Sequence, residues 1–456
     1  MNTTTTTNRI HNFTEEQYDA FQEILNFCNT PFGGIYLVTG VAGTGKTYLT
    51  TKIVTELKAE NILVTAPTHK AVKVLQSECN INFHKVKFAT VHSALGLREK
   101  IDGHGTVTFE PEPNAQHKIE KANYMIVDEA SMLHDQLFDM LAKYVEKHNL
   151  KIIMVGDPVQ IPPIGKKDSK PFQHKYQLLY KIKISELKSI VRQSIGHPII
   201  EKSFEVRTRI NEPRPFVNRD NLESPVGSVF FCGKENLKDM FSDYFDSYDF
   251  NKNVDYARVI AWTNATVNDY NALIRSIIYK RNYLPKIVIG EKLIIDSPIV
   301  KNDKVVFNTN DEVEVVGYKI CKEEVKGLDR FIKYYDTVVK YETTFFGNMH
   351  HNIKIVHEDS EPEFEEICDM VKQVALQEKQ GSNQAKMYWI MYYHLKNYFA
   401  QVKYSYSITV HKSQGSTYLH AFIDETDILK NPDIVERNRI LYTAITRAKK
   451  NVYIIK

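Results

Sequence analysis

Apolar positions along the chain fall into two kinds of block. Residues 35–39 (I-Y-L-V-T), 61–65 (N-I-L-V-T), 124–127 (Y-M-I-V) and 150–155 (L-K-I-I-M-V) are short β-branched or aromatic runs, the pattern of strands buried on both faces. Between them apolar residues recur at helical spacing, as in Y-L-T-T-K-I-V-T-E-L from Tyr48 onward. This alternation predicts an α/β fold with parallel sheets. It resumes at residues 258–264 (R-V-I-A-W-T-N) with an amphipathic helix over 266–278, a second βα region. Before the first strand, residues 13–21 (F-T-E-E-Q-Y-D-A-F) open a helix with Thr14 as N-cap and Gln17 at the capping-box position.

Two stretches break the rhythm. Within residues 98–118, D-G-H-G sits between two short alternating runs, which predicts a β-hairpin inserted in the first domain. From about 284 to 402 the chain reads as short strands separated by polar turns, including K-I-V-I-G-E-K-L-I-I-D, K-V-V-F-N-T-N-D-E-V-E-V-V and Y-D-T-V-V-K-Y, the pattern of a small β-barrel. Residues 361–399 then carry helical spacing across a polar break, K-Q-G-S-N-Q, and predict two helices.

A length of 456 residues predicts two to four domains. With 43% hydrophobic and 25% charged residues the chain is ordinary for a globular protein, and no run approaches the roughly 18 apolar residues of a membrane span. The N-terminal M-N-T-T-T-T-T-N-R-I lacks an apolar signal core and reads as a short disordered arm. Cys28, Cys79, Cys232, Cys321 and Cys368 are widely separated and form no C-x-x-C pair, which points to reduced thiols in a cytoplasm and away from zinc. A net charge of +3 permits a polyanion partner without indicating one.

The chemistry concentrates where strands end. Residues 40–47, G-V-A-G-T-G-K-T, lie between a strand and a helix, the context in which GxxxxGK[ST] cradles a nucleotide. Gly40, Ala42, Gly43, Thr44 and Gly45 build the loop, Lys46 reaches the β- and γ-phosphates, and Thr47 holds Mg²⁺. Gln17 fits either a cap or an adenine-reading amide. Asp128 ends the strand at 124–127 and suits the Mg²⁺ water shell, while Glu129 is placed to polarise an attacking water. Gln160, in G-D-P-V-Q-I-P-P-I-G, is a candidate γ-phosphate sensor beside a third carboxylate, Asp157. Pro67, Thr68 and His69 follow the strand at 61–65, and Thr90 and His92 lie in A-T-V-H-S-A-L-G-L. Each is a strand end with a cap, and each also offers the small donors that contact a nucleic-acid backbone. Phe109 would lie on the hairpin, packed or stacking on bases. Thr263, Asn264, Thr409 and His411 are the corresponding candidates in the second half, where Gln414 and Gly415 are placed to face the nucleotide.

Taken in order, F-T-E-E-Q, G-V-A-G-T-G-K-T, A-P-T-H-K-A, T-V-H-S, V-D-E-A-S, G-D-P-V-Q-I-P-P, S-I-V-R-Q-S, V-H-K-S-Q-G-S-T and L-Y-T-A-I-T-R-A-K-K resemble the motifs of superfamily 1 helicases, spanning residues 13 to 450. The set is most similar to the 1B, RecD-like branch and to the Dda helicases of tailed phages. The resemblance implies two RecA-like domains: 1A (1–97 and 119–188) with hairpin 1B (98–118), and 2A (189–283 and 403–456) with an SH3-like and helical insertion 2B (284–402). It also implies that Arg192 and Arg447 are the arginines presented to the γ-phosphate from the second domain. ATP and Mg²⁺ as cofactors, a monomer on single-stranded DNA and forks, 5′ to 3′ movement, a replication, recombination or repair setting and a host cytoplasm follow from the same resemblance. A single-stranded DNA-binding protein or replication proteins are the implied partners, with no membrane.

Overall fold

The computed structural model describes residues 13–57, 61–79, 86–112, 117–191, 196–301, 304–325, 330–343 and 347–456. The proposed N-terminal arm and Arg192 lie outside the described residues. Strands β1 (Gly34–Gly40), β2 (Ile62–Ala66), β3 (Val86–Thr90), β4 (Leu97–Ile101), β5 (Val107–Pro111), β6 (Tyr124–Val127), β7 (Lys151–Gly156) and β8 (Lys183–Leu187) belong to the first half. Six of them form a parallel sheet in the order β3-β2-β6-β7-β1-β8. The unbroken apolar runs have a direct cause: alternate residues enter two cores. Ile35, Leu37, Met125, Val127, Ile152 and Met154 pack on one face, and Tyr36, Val38, Ile126, Ile153 and Val155 on the other.

The second sheet uses β9 (Leu222–Ser224), β10 (Gly227–Cys232) and β11 (Ala257–Ala261). The chain then leaves for β12 (Lys292–Ile295), β13 (Ile299–Lys301), β14 (Lys304–Phe307), β15 (Glu312–Val325), β16 (Arg330–Thr343), β17 (Gly347–Val356) and β18 (Val402–Tyr404). It returns with β19 (Ser407–Thr409), β20 (Tyr418–Asp424) and β21 (Ala448–Ile455). The order β19-β11-β20-β21-β10-β9 is parallel except for the edge pair β9 and β10. Here too Ile260, Ile423 and Ile454 face one core and Val259, Phe422 and Ile455 the other.

The insertion is a five-stranded antiparallel sheet, β17-β16-β15-β12-β18, with a separate β13-β14 ribbon sharing its core through Phe307. The strands are longer than the sequence pattern suggests: β15 and β16 run 14 residues each. Their distal part leaves the barrel-like core around Val315, Tyr335 and Val339 and forms a second one, where Ile332 packs on Phe364 and Ile367. Those last two lie on the first of two helices, Glu361–Gln377 and Asn383–Lys396, which match the expected pair. The insertion is tied to its parent domain by a buried ion pair, Arg275 Nη2 to Glu291 Oε2 at 2.8 Å, with the Tyr406 hydroxyl donating to Glu291 Oε1 at 2.9 Å. Among the described residues no helix is long and apolar enough to cross a membrane.

The β4-β5 hairpin projects from the first domain and reaches those two helices. Its tip is fixed there by Gly381 N donating to Gly103 O at 3.1 Å and by the Tyr393 hydroxyl donating to Gly105 O at 2.9 Å. Gly105 has φ +77° and lies so close to the Trp389 indole that an added Cβ would sit 2.5 Å from it. Both facts demand glycine there. Gly105→Ala should therefore undock the tip, speeding amide hydrogen exchange at residues 101–107 by at least about ten-fold while shifting the melting midpoint by under about 4 °C. Unchanged exchange would show that another contact holds the tip.

Candidate functional site

Two sheets border a cleft, the first by the carboxyl ends of β1, β6 and β7, where an open α/β sheet gathers ligands, and the second by the amino end of β21, where Arg447 stands. On the first, β1 runs into the glycine loop and the helix Lys46–Leu57. Gly43 and Gly45 adopt positive φ, +81° and +71°, which turns their amides in a way side chains disfavour. Lys46 Nζ donates to the carbonyls of Gly40 and Val41 at 2.9 Å each, within the loop. Thr44 is fully buried and ties back to Val41 O at 2.9 Å.

Gln17 supports this loop from outside. The capping box forms as expected, Gln17 N to Thr14 Oγ1 at 3.2 Å and Thr14 N to Gln17 Oε1 at 3.0 Å. The amide nitrogen donates to Thr44 O at 2.8 Å, so one side chain closes a helix and braces the glycine loop. A Cβ on Gly45 would meet that nitrogen at 2.4 Å.

Beyond β6, Asp128 accepts from the Glu129 amide at 2.9 Å. Glu129 stands at φ +52°, a left-handed conformation that costs a non-glycine residue free energy and is found where function requires it. Burial and then the Glu129 charge push the Asp128 carboxyl well above its ordinary range. Two crowded carboxylates at a strand end call for a cation, and no group of three or more acidic, His or Cys side chains able to cage a metal occurs among the described residues. The arrangement suits an ion held by one or two protein groups plus phosphate and water, Thr47 and Asp128 being the donors at hand.

Across the cleft the second domain presents its own set. Arg447, 4% exposed, is locked by donation to Thr443 O at 3.1 Å and Ser416 O at 3.4 Å. Its Nη1 lies 3.9 Å from Glu129 Oε1. Gln414 donates to Ile161 O at 2.8 Å, on the loop that carries Gln160. Gly415 packs on the first domain at Thr68 and Ala71. Gln160 is buried with Oε1 lacking a hydrogen-bond partner, an acceptor held in reserve.

The candidate backbone contacts show a repeated device. Thr90 ends β3 and accepts from Ser93 N at 3.1 Å; Thr409 ends β19 and accepts from Lys412 N at 3.3 Å. Each threonine is followed by Val-His in a short helix, and β3 and β19 are edge strands of their sheets. Burial lowers the pKa of His69, His92 and His411, so these rings are neutral donors and acceptors at pH 7. Pro67 and Thr68 lead into the helix His69–Cys79, where Thr68 Oγ1 accepts from Ala71 N at 3.2 Å. Phe109 lies mid-hairpin opposite Glu99, half-buried with its ring 5.0 Å from His92. It also lines a cavity of about 810 Å³ between the hairpin and Val300, Val305 and Tyr398 of the insertion. Thr263 caps the helix Asn264–Tyr279 and is bound through N and Oγ1 to Asp427, while Asn264 is exposed.

Sequence reasoning passed over Arg207 and Tyr442, which meet Asp157 in the cleft. Arg207 sits in a helix without a motif, and Tyr442 was hidden inside L-Y-T-A-I-T-R, where the arginine drew attention. It also passed over Lys70, whose Nζ reaches Asp255 and Glu312 at 2.8 Å each, tying the first domain to the second and to the insertion.

Residues 12–211 match the family model described as AAA domain, and residues 404–455 that of the UvrD-like helicase C-terminal domain. The chain is 26% identical to the ATP-dependent DNA helicase dda of Enterobacteria phage T4, over 97% of this chain and 99% of that one. An uncharacterized protein of Acanthamoeba polyphaga mimivirus is also 26% identical, over 96% and 99%. The RecBCD enzyme subunit RecD of Buchnera aphidicola is 24% identical, over 93% and 71%.

Thr14→Ala and Gln17→Ala are each expected to lower stability by about 1 kcal/mol, read from the urea midpoint. Gln17→Ala alone also frees the Thr44 carbonyl, so it alone should weaken nucleotide binding, by roughly five-fold in a fluorescence titration. Equal weakening by both would trace the effect to the cap and not to the Gln17–Thr44 bond.

Proposed function

We infer that this chain, a superfamily 1B helicase related to Dda, is an ATP-dependent DNA helicase whose two RecA-like domains drive it along single-stranded DNA from 5′ to 3′. The observation that carries the reading is the meeting of Glu129 with Arg447 across the cleft, 3.9 Å apart, beside the glycine loop. Neither domain alone holds both groups.

In this reading the loop amides and Lys46 bind the triphosphate, Gln17 lies against the adenine side, and Glu129 orients the attacking water. Thr47 and Asp128 hold Mg²⁺, which supplies charge neutralisation at the phosphates. Arg447 stabilises charge as the γ-phosphate departs, with Arg192 as its proposed companion and Gln160 reporting on the γ-phosphate. An arginine in this role contributes roughly 10³ to 10⁵ in rate, so hydrolysis waits for the second domain.

Pro67, Thr68, His69, Thr90 and His92 on one domain and Thr263, Asn264, Thr409 and His411 on the other are the proposed contacts to the strand backbone. The matching Thr-Val-His caps at the two edge strands support this assignment, because each domain then grips phosphate by one design. Gln414 and Gly415 connect that grip to the cleft, one bonded to the Gln160 loop and the other seated on Thr68. Changes at the nucleotide thus reach the strand contacts through packed groups. Phe109 and the docked hairpin are the proposed wedge at the fork.

Two matched duplexes, one with a 5′ and one with a 3′ single-stranded tail, test the polarity, with Lys46→Ala as the inactive control. Opening of the 5′-tailed duplex alone is expected. Opening of the 3′-tailed duplex alone would reverse the direction, and strand-stimulated hydrolysis without any opening would make the protein a translocase. Arg447→Ala should cut hydrolysis by about 10³-fold while changing nucleotide affinity less than about ten-fold. Phe109→Ala should slow unwinding and leave translocation intact; unwinding at the wild-type rate would remove Phe109 from the wedge.

A further inference from the structure

Asp157, in the loop after β7, is a carboxylate in the cleft that the proposed chemistry leaves unused. Its side chain is fully buried. Oδ1 accepts from Val159 N at 3.0 Å and from Arg207 Nη1 at 2.5 Å, and Oδ2 accepts from the Tyr442 hydroxyl at 2.5 Å. Arg207 and Tyr442 come from two neighbouring helices of the second domain, Pro198–Thr208 and Ile434–Ile445, with the guanidinium 5.5 Å from the phenol ring.

Because its proton goes to Asp157, the Tyr442 oxygen keeps its lone pairs for other donors. It accepts from Arg207 Nη1 at 3.3 Å and from the amide of Ala42, also at 3.3 Å. Burial and then the Asp157 charge raise the pKa of the phenol, so it stays neutral and serves as donor and acceptor together. Ala42 belongs to the glycine loop. Its N–H therefore has two claimants: a neutral hydroxyl from the opposite domain, or the charged oxygens of a bound triphosphate. Charge-assisted hydrogen bonds are roughly twice as strong as neutral ones, so phosphate wins the contest.

We propose that Tyr442, braced by Asp157 and Arg207, is a positioning residue that occupies the Ala42 amide when the glycine loop holds no phosphate and releases it when phosphate binds. The inference rests on the reading of that loop as the ATP site. The same Asp157 anchors residues 157–161, where Gln160 stands, and the second domain grips this segment again through Thr443 Oγ1 at Ile161 N, 3.2 Å, and Gln414 at Ile161 O. Displacing Tyr442 from the loop shifts one end of this set, so loop occupancy is relayed to the domain contact beside Gln160. By linkage, a strand bound across both domains then alters nucleotide affinity by the factor that nucleotide alters strand affinity.

The test is a titration of a fluorescent non-hydrolysable ATP analogue with Mg²⁺, in the presence and absence of oligo-dT, on the full chain. Wild type should show affinities differing by roughly five-fold or more between the two conditions. Tyr442→Phe keeps the ring and removes only the hydroxyl. It should bind the analogue about five-fold more tightly without DNA, the worth of one neutral hydrogen bond, and the ratio between conditions should fall toward one. Arg207→Lys keeps a positive charge on Asp157 while removing the guanidinium fork from Tyr442, and should move the ratio in the same direction. An unchanged affinity and ratio in Tyr442→Phe overturn the proposal, as does weaker binding that merely follows a lower melting midpoint. Failure of wild type to bind the analogue overturns the ATP reading itself and the proposal with it.

Discussion

The buried carboxylate of Asp157 lies between two separately cored sheets and needs a positive partner where the two domains meet. Removing one member of such a buried pair typically costs about 3–5 kcal/mol, because the remaining charge has no water to turn to. Arg207 meets this need from the second domain, and Tyr442, Thr443 and Gln414 hold the same short loop around it. The position of Arg447 over Glu129 depends on that registration. The approach of Arg447 to Glu129 is a product of domain packing.

Another electrostatic contact stands away from the glycine loop. Lys70 of the first domain, Arg258 of β11 and Glu312 of the insertion converge, with Lys70 and Arg258 both near the Tyr418 ring. Burial alone would raise the Glu312 carboxyl, yet the Arg258 and Lys70 charges outweigh it and hold it down to about 2. Charged contacts between the domains thus lie both beside the glycine loop and away from it, with Arg439 and Asp168 a further pair at 2.8 Å.

Much of this was readable from local pattern. The buried strands, the capping box at Thr14 and Gln17, the Asp-Gly hairpin and the helix pair all follow from spacing that depends on near neighbours in the chain. The length of β15 and β16 was not readable, because their distal residues, such as I-C-K-E-E-V at 320–325 and R-F-I-K-Y-Y-D at 330–336, do not alternate and find their packing partners on helices that come later in sequence. Arg207 and Lys70 carry no local mark, since their meaning comes from carboxylates 50 and 242 residues away. Gln414 and Gly415 were assigned to the nucleotide by their loop, and the fold brings them to the first domain at Ile161 and Thr68, partners that no local pattern names. Spacing along a chain identifies what a residue can bind; only the packing of the two sheets decides which candidate it reaches.

The docking of the hairpin tip makes the molecule a closed linkage. Starting from the cleft, one passes through the first domain to Gly103 and Gly105, across to Gly381 and Tyr393, down the insertion and back through the second domain to the cleft. In a closed chain of stiff bodies, a change of angle at one joint has to be absorbed at another. The two sheets are packed on both faces and the tip is pinned by the Gly381 amide and the Tyr393 hydroxyl, so the long β15-β16 ribbon is where such a linkage would give. A small rotation at the cleft would then emerge as bending of that ribbon, and the stiffness of its paired strands would set how much of each closing stroke reaches the hairpin.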